Sequence, residues 1–168
     1  MKLQTDRLTL IPMNGNDLEI FHKTNIDPVV RKFLWDDQEI PDSLSAEIIK
    51  EVEKRFREEQ WGLWKIINSS NEDYMGYIGY WYFFDEKQPQ LLYVLLPEYT
   101  GNGYATEASK ELIKYAFEVL KFDYVLAAVD KPNEESVKVC KKLNMELVEE
   151  KEIEGKPTLF YRTPIKEQ

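Results

Sequence analysis

The sequence contains a single cysteine, Cys140, and a single histidine, His22. One thiol cannot form an internal disulfide, and one histidine with one distant cysteine cannot assemble a metal site rich in these ligands. We expect Cys140, which lies among lysines on a predicted helix, to be a structural thiol rather than a nucleophile. We therefore expect no metal in this protein.

Long apolar runs and an excess of basic residues are also missing. Residues 1–12 lack the apolar core of a signal peptide, and no apolar run approaches the roughly 20 residues of a membrane-spanning helix. The 22 Lys and Arg residues are outnumbered by 31 Asp and Glu, giving a formal charge of −9. Nucleic-acid binding needs a basic surface, so we expect a cytoplasmic protein with no membrane or nucleic-acid partner. The negative charge either attracts cationic amines or only keeps the protein soluble, and the second explanation is the simpler one.

What the sequence does contain is enough apolar material for a packed core and a clear alternation of elements. Hydrophobic residues make up 43% and aromatic residues 13% of the chain, and no repeat or linker divides it, so we predict one domain over residues 1–168. The periodicity predicts an α/β (α+β) fold with helices flanking a mixed, mostly antiparallel sheet. The predicted strands are 7–12, 61–67, 74–84, 90–96, 124–129, 146–153 and 157–164, and the predicted helices are 17–25, 43–60 (or from 45), 103–120 and 133–143. Residues 27–42 are predicted to be irregular.

Two alternating glycines stand between a predicted strand and a long helix, in the segment Pro97–Ala108. Gly101 and Gly103 allow a tight turn with unshielded N–H groups, and the helix start adds unpaired N–H groups and the positive end of its dipole. These features favour a phosphate or pyrophosphate. The segment lacks the Gly-Lys-Ser/Thr of a Walker loop, and Thr106 stands where a dinucleotide fingerprint has its third glycine. Taken alone, the turn is equally compatible with a tight strand-to-helix connection.

Four features of the sequence together resemble the GNAT superfamily of acetyl-CoA-dependent N-acetyltransferases. The similarity is greatest to the branch that acetylates N-terminal alanines of ribosomal proteins, with its spermidine and antibiotic-modifying relatives. Thr5–Leu10 is similar to T-x-R-L-x-L, and Gly76–Gly79 is similar to G-x-I-G. Leu96–Ala108 is similar to P-x-Y-x-G-x-G-Y-A-T-E-A, which is the most specific of the four. Asn133–Lys138 and Lys142–Glu146 are similar to N-x-x-S followed by K-L-G-F.

The resemblance implies a GNAT-like fold with acetyl-CoA as cosubstrate, bound in a cleft between two splayed parallel strands. It implies transfer of acetyl to a primary amine, on a small molecule or a protein N-terminus, by direct attack in a ternary complex. The residues expected to bind CoA are Leu95, Leu96, Thr100, Gly101, Asn102, Gly103, Tyr104, Ala105, Asn133 and Ser136. The alternative is a non-catalytic module that binds CoA or an acyl-CoA, and a nucleotide-binding domain of another class is a weaker third interpretation.

The catalytic groups are less fully specified. The resemblance places Ser136 opposite the sulfur, where its hydroxyl would protonate the departing thiolate; the alternative is that Asn133 only caps the helix and Ser136 is an ordinary first-turn residue. The general base stays unassigned, because Gln90 stands where the branch often has a glutamate and a neutral amide cannot accept a proton. Asp85–Glu86 at the preceding turn and Glu107 in the signature are weaker candidates.

Two further positions depart from the pattern of the branch. Thr100 replaces the Gln or Arg that usually opens the cofactor motif, which we expect to weaken binding only modestly because the backbone makes most of the contacts. Asn144 replaces the glycine of K-L-G-F, and asparagine tolerates the left-handed conformation that a helix end requires.

Aromatic residues are the candidates for the acceptor site. A strand buries only alternate side chains, so the aromatic run after Gly79 cannot enter the core as a whole. The acceptor-side candidates are Trp35, Tyr80, Trp81 and Tyr82. We expect the segment 27–42 to determine acceptor choice, because loops on a rigid scaffold carry specificity. The acceptor is left open among an amine, a polyamine, an aminoglycoside and a peptide end, and so is assembly as a homodimer.

Overall fold

The computed structural model describes residues 1–83 and 87–165. Its strands are Leu3–Gln4 (β1), Leu8–Pro12 (β2), Leu63–Asn68 (β3), Tyr74–Trp81 (β4), Gln90–Leu95 (β5), Leu126–Asp130 (β6), Glu146–Ile153 (β7) and Lys156–Arg162 (β8). Its helices are Leu18–Ile26 (α1), Pro28–Leu34 (α2), Asp42–Glu59 (α3), Tyr104–Glu118 (α4) and Glu134–Lys142 (α5). The strands form a five-stranded sheet in the order β1-β2-β3-β4-β5 and a three-stranded sheet in the order β6-β8-β7. All paired strands in these two sheets are antiparallel.

The predicted α/β architecture is confirmed, with one wrong segment and one addition. Residues 27–42 are not irregular throughout, because they contain α2. The Asp27 carboxylate accepts hydrogen bonds from the N–H groups of Val29 (2.9 Å) and Val30 (3.3 Å), and Pro28 occupies the first helical position, where its missing N–H costs nothing. The added strand is β1. The strand predicted to reach residue 84 ends at Trp81, and residues 84–86 lie outside the described part of the chain.

The core lies between the five-stranded sheet and the helices that cover it. Helix α3 buries Ile49, Val52 and Phe56, which recur at helical spacing on one face. The Trp64 ring of β3 is fully buried and makes edge-on contacts with Phe56 (4.8 Å between centroids) and Tyr115 of α4 (5.3 Å). Such aromatic pairs favour a fixed geometry, so Trp64 ties both helices to the sheet. In the described ranges, 1–83 and 87–165, no helix has the length and apolar character needed to cross a membrane.

Strands β5 and β6 are splayed neighbours that belong to different sheets. Helix α4 joins them, which is the crossover connection of parallel strands. The Leu96 N–H donates to the Met75 carbonyl at 2.9 Å, and in an antiparallel ladder this pattern turns the N–H and C=O of Leu95 away from β4. The free edge of β5 therefore faces β6 across an opening between the sheets.

Candidate active site

A cavity of about 780 Å³ occupies the opening between β5 and β6. The start of α4, helix α5 and the β7–β8 hairpin form further walls, and α2 covers one side with Val29, Val30, Phe33 and Leu34. Ligand sites for drug-sized molecules have volumes of roughly 300–1,000 Å³. The cavity is therefore large enough for an extended cofactor.

Most of the residues expected to bind CoA come together in this cavity. Those in its lining are Leu95, Thr100, Gly101, Gly103, Tyr104, Ala105, Asn133 and Ser136. Leu96 and Asn102 lie outside the lining. The N–H of Leu96 is used in the β4–β5 ladder, and the carbonyl of Asn102 accepts a hydrogen bond from Arg7 at 3.1 Å.

The glycine loop delivers backbone N–H groups to one end of the cavity. Gly101 and Gly103 both have φ of +81°, a left-handed conformation that glycine adopts without strain. Gly103 is the N-cap of α4, so the unpaired N–H groups of the first turn begin directly after it. This end of the cavity can take up a phosphate group.

The N-terminal segment is attached to the outside of the same loop. Arg7 Nε lies 2.7 Å from Glu107 Oε1, and the guanidinium stacks 4.3 Å from the centre of the Tyr104 ring. The Thr5 hydroxyl and the Arg7 N–H (3.0 Å) both donate to the second Glu107 oxygen. Burial raises the pKa of Glu107, but these hydrogen bonds outweigh it and leave the pKa below its ordinary value. These contacts join the motifs Thr5–Leu10 and Leu96–Ala108. Neither sequence pattern predicts that the two motifs touch.

A tyrosine and a serine form a hydroxyl pair in the middle of the cavity wall. The Tyr93 hydroxyl donates to Ser136 Oγ at 3.0 Å, and Asn133 Oδ1 accepts from the Ser136 N–H at 3.3 Å. Asn133 therefore caps α5 and also lines the cavity. Burial raises the pKa of Tyr93 to about 12, although the hydrogen bond to Ser136 opposes this. Since Ser136 Oγ accepts a hydrogen bond from the Tyr93 hydroxyl, the O–H of Ser136 remains available as a donor.

Cys140 lies in the same lining and is buried. Burial raises the pKa of its thiol to about 12, so the sulfur carries its proton at neutral pH and lacks the thiolate character of a nucleophile. In the part of the chain that the structure describes, no group of three or more His, Cys, Asp or Glu side chains is placed to hold a metal ion.

Asp130, at the end of β6, is a cavity-lining carboxylate that the sequence did not single out. Burial raises its pKa and the carboxylate of Asp36 raises it further, whereas Lys156 lowers it, and the net direction is upward. The Lys156 ammonium itself forms an ion pair with Asp36 after α2. The sequence alone does not reveal the raised pKa of Asp130, because it depends on burial and on Asp36 and Lys156, which lie far away in the sequence.

Gln90, at the start of β5, is a buried amide with unused hydrogen-bonding capacity. It lines the cavity and is 1% exposed, and neither Oε1 nor Nε2 has a hydrogen-bond partner among the described residues. Leaving such groups unpaired costs about 1–3 kcal/mol. Because buried polar groups are rarely left unpaired in folded proteins, the Gln90 amide is available to bind a ligand or an ordered water. The base candidates Asp85–Glu86 lie outside the described residues.

Two of the predicted acceptor-side residues meet in a second, smaller cavity of about 80 Å³. Trp35 and Trp81 both line it, and its lining shares Leu34, Phe83 and Leu92 with the larger cavity. The Trp35 indole N–H donates to Asn25 Oδ1 at 3.0 Å, which fixes the ring. The small cavity therefore adjoins the large one through a common apolar wall.

The other two acceptor-side candidates lie elsewhere. Tyr80 is fully buried and its hydroxyl donates to the Leu112 carbonyl at 2.7 Å, so it belongs to the core. Tyr82 is 40% exposed and packs against Trp61 and Arg55, at 5.5 and 5.1 Å. Neither tyrosine is in the lining of the large or the small cavity.

Comparison with known proteins agrees with this geometry. Residues 7–146 match the acetyltransferase (GNAT) domain family. An uncharacterized N-acetyltransferase from Bacillus licheniformis is 27% identical over 145 residues, covering 86% of this chain and 82% of that protein. The structure of an acetyltransferase from Agrobacterium tumefaciens superposes with a TM-score of 0.84 at 21% identity, covering 98% of this chain and 94% of that chain.

A second solved structure, the spermidine N-acetyltransferase from Vibrio cholerae in complex with CoA and spermine, superposes with a TM-score of 0.78 at 14% identity. The superposition covers 94% of this chain and 95% of that chain. At these identities the structures show a shared fold. The family match extends over most of the sequence and includes the glycine loop and Ser136, and it shows that the chain belongs to the GNAT family of acetyltransferases.

Proposed function

We propose that the protein transfers the acetyl group of acetyl-CoA to a primary amine held in the same complex. The observation that carries this proposal is the single cavity that joins an N–H-rich glycine loop, a free strand edge and the Tyr93–Ser136 pair. Family membership supports the acetyl transfer. The Vibrio cholerae neighbour, whose complex holds CoA and spermine, supports an amine as the acceptor.

The described residues fit CoA as a ligand. The loop from Thr100 to Ala105 offers backbone N–H groups to the pyrophosphate, and Leu95 offers its free N–H and C=O to the pantetheine arm as an added strand would. Lys138 and Lys142 of α5 also line the cavity. Lys156 lines it as well, but so do the carboxylates of Asp36, Asp130, Glu135 and Glu154, so the lining carries charges of both signs.

The pair Tyr93–Ser136 is proposed to stabilise the departing thiolate. The Ser136 hydroxyl donates to sulfur while the Tyr93 hydroxyl donates to Ser136. The pKa of Tyr93 is about 12 and that of a free thiol is about 8.5, so complete transfer of the phenolic proton to sulfur is uphill. The pair therefore acts through hydrogen bonds, and we assign the stabilisation of charge that develops on the carbonyl oxygen to the Leu95 N–H.

The proton of the acceptor ammonium has to leave before nitrogen can attack, because an ammonium of pKa about 10 has no free lone pair. We assign this first proton transfer to Asp130, whose raised pKa makes it a better proton acceptor than a solvated carboxylate. The small cavity with Trp35 and Trp81 would hold the apolar part of the acceptor. A single buried thiol without a disulfide suits the cytoplasm, which we keep as the expected location, and homodimer assembly stays a prediction.

The proposal is tested by two measurements on the same protein. Acetyl-CoA should raise the melting temperature, and spermidine or a short peptide with a free N-terminus should release thiol from it. Asp130→Asn should lower turnover about tenfold or more with the acetyl-CoA stabilisation intact, whereas Asp123→Asn, an exposed carboxylate before β6, should change neither. Stabilisation without turnover on any amine would instead indicate a non-catalytic CoA-binding module. Absence of stabilisation would contradict both functions.

A further inference from the structure

We propose that Arg7 is a positioning residue for the cofactor. It fixes the peptide between Asn102 and Gly103 so that the Gly103 N–H faces the cavity, and Glu107 holds Arg7 in place for this task. The inference rests on the proposed use of acetyl-CoA. It extends that function to a residue nearly 100 positions away from the loop in the sequence.

The orientation of one peptide carries the argument. Arg7 Nη1 donates to the Asn102 carbonyl at 3.1 Å. Neither Arg7 nor Asn102 is in the cavity lining, so this bond lies on the outer side of the loop. In a planar trans peptide the C=O and the following N–H point in opposite directions. The bond that draws the Asn102 carbonyl outwards therefore turns the Gly103 N–H inwards, and Gly103 is part of the cavity lining.

Two further side-chain hydrogen bonds hold the loop, from the Thr100 hydroxyl to the Pro97 carbonyl at 2.8 Å and from the Asn102 side-chain amide to the Thr100 carbonyl at 3.2 Å. Neither involves the Asn102 carbonyl or the Gly103 N–H. Gly101, Asn102 and Gly103 are exposed, and glycine loses more conformational freedom on ordering than any other residue. A loop that had to order each time a phosphate arrived would lose affinity, since immobilisation costs free energy that binding must supply. Because Arg7 already holds the Asn102 carbonyl before a ligand arrives, it removes that cost.

Arg7 is itself held on several sides. Its Nε pairs with Glu107 at 2.7 Å and its guanidinium stacks on the Tyr104 ring at 4.3 Å. The second Glu107 oxygen is occupied by Thr5 and by the Arg7 backbone N–H. Because Glu107 and Tyr104 both lie on the first turn of α4, the guanidinium, the loop and the helix start form one unit.

The geometry, rather than the charge, accounts for this role. The Arg7 side chain is 46% exposed, so its attraction to a phosphate is screened by water and salt. A planar guanidinium can contact Glu107, the Asn102 carbonyl and an aromatic face at once, whereas a lysine ammonium is a single point of charge. Arg7→Lys is therefore expected to behave like Arg7→Gln.

The decisive experiment compares two thioesters that differ in the diphosphate. Arg7→Gln should raise the KM for acetyl-CoA and the Kd of CoA, measured by calorimetry, by about tenfold, the size expected for a charged hydrogen bond. With S-acetyl-pantetheine, which has no diphosphate, KM should change less than about twofold. The kcat at saturating acetyl-CoA and the KM for spermidine should stay within the same margin. A residue that only stabilised the fold would affect both thioesters alike.

Arg55→Gln is the matched control. Like Arg7, Arg55 forms salt bridges, here to Glu51 and Glu59 at 2.8 Å each, and stacks on an aromatic ring, that of Trp61 at 5.2 Å. Unlike those of Arg7, these contacts lie on α3 and at Trp61 rather than at the glycine loop. Replacement of Arg55 should leave both KM values unchanged. Glu107→Gln, an isosteric change, gives an independent variant should Arg7→Gln fold poorly, and it should show the same selective loss for acetyl-CoA.

Equal losses on the two thioesters, or a fall in kcat alone, would assign Arg7 to fold stability and overturn the inference. Unchanged acetyl-CoA kinetics in both Arg7→Gln and Glu107→Gln would overturn it as well. Failure of the wild-type protein to bind CoA is a different result. It would remove the proposed function, and this inference with it.

Discussion

The proposed chemistry depends on a few side chains whose properties are set by burial. Tyr93 and Cys140 both have pKa values raised to about 12 by burial, so each keeps its proton at neutral pH. Gln90 is almost fully enclosed with no partner for its amide among the described residues. Such residues can donate hydrogen bonds and position groups, whereas Asp130 is the cavity carboxylate with a raised pKa.

The first prediction at this scale concerns the hydroxyl pair. Ser136→Ala should lower kcat by about tenfold to a hundredfold, with an unchanged Kd for CoA, because the donor to the thiolate is lost. Tyr93→Phe should lower kcat less, and the double variant should be no worse than Ser136→Ala, since Tyr93 acts through Ser136. A double-mutant cycle on kcat measures this coupling.

Tyr74→Phe is the matched control for Tyr93. Its hydroxyl also contacts another hydroxyl, Thr24 at 2.9 Å, and burial raises its pKa to about 12, but it does not line the cavity. This variant should keep full kcat. Strictly additive losses in the cycle would show that Tyr93 and Ser136 act independently. A Ser136→Ala variant with full kcat would show that Asn133 only caps α5 and that Ser136 is an ordinary first-turn residue.

The second prediction concerns Gln90. Gln90→Met replaces an unpaired amide by an apolar chain of similar length, so the free energy of unfolding should rise by about 1 kcal/mol while kcat/KM for the amine falls. Chemical denaturation and steady-state kinetics measure the two effects. Gln88→Met is the control, because the Gln88 amide donates to the Tyr124 carbonyl at 2.6 Å and its loss should destabilise the protein. If Gln90→Met were destabilising too, the amide would have a structural partner.

Sequence reasoning identified single residues best where the chemistry is local. The left-handed conformation predicted for Asn144 is present, with φ of 59°, because asparagine tolerates it at a helix end. The glycine loop and the Asn133 cap are local in the same sense. The sequence does not predict the roles of Tyr93, Asp130 and Arg7, because each role depends on a neighbour from a distant segment.

At the scale of elements, helices with a long apolar stripe could be predicted and a short one could not. Helix α3 repeats its buried residues over 18 positions, whereas α2 has seven residues and offers barely two turns of periodicity. Its signal was the cap, because Asp27 followed by Pro28 is a typical helix start. The prolines and the acidic pair at 36 and 37 obscured that signal.

The missed helix matters for the site. Val29 and Phe33 of α2 are 54% and 38% exposed, yet both line the large cavity. The segment expected to choose the acceptor thus begins with a helix that covers the cavity, and only the residues after Leu34 are irregular. The apolar face of α2 supports the idea that the acceptor presents some apolar surface of its own, alongside the amine.

At the scale of the whole molecule, the cavity separates two sheets that meet through α4. The five-stranded sheet ends at β5 and the three-stranded sheet begins at β6, so a ligand between them can contact both. Sequence order alone could predict the strands on either side of the opening. Strand order could not predict the splay, because a continuous sheet and a split one use the same strand–helix–strand pattern; only the family resemblance implied it.

This arrangement leads to the last prediction, on amide hydrogen exchange. CoA at a hundred times its Kd should add about 2.7 kcal/mol of stability, and the protection should be greatest at β5, β6 and the first turn of α4, which face the ligand. Strands β1 and β2, which lie at the far edge of the five-stranded sheet, should gain no more than this global amount. Mass-spectrometric exchange with and without CoA resolves these segments.

ATP is the control ligand, because it carries phosphates but has no pantetheine arm. It should protect at most the start of α4, where the glycine loop lies, and leave β5 exchanging as in the free protein. Equal protection of β5 by both ligands would favour a nucleotide-binding domain over a CoA site. Protection of β5 by CoA alone would show that the free edge at Leu95 pairs with the arm, which is what a split between two sheets makes available.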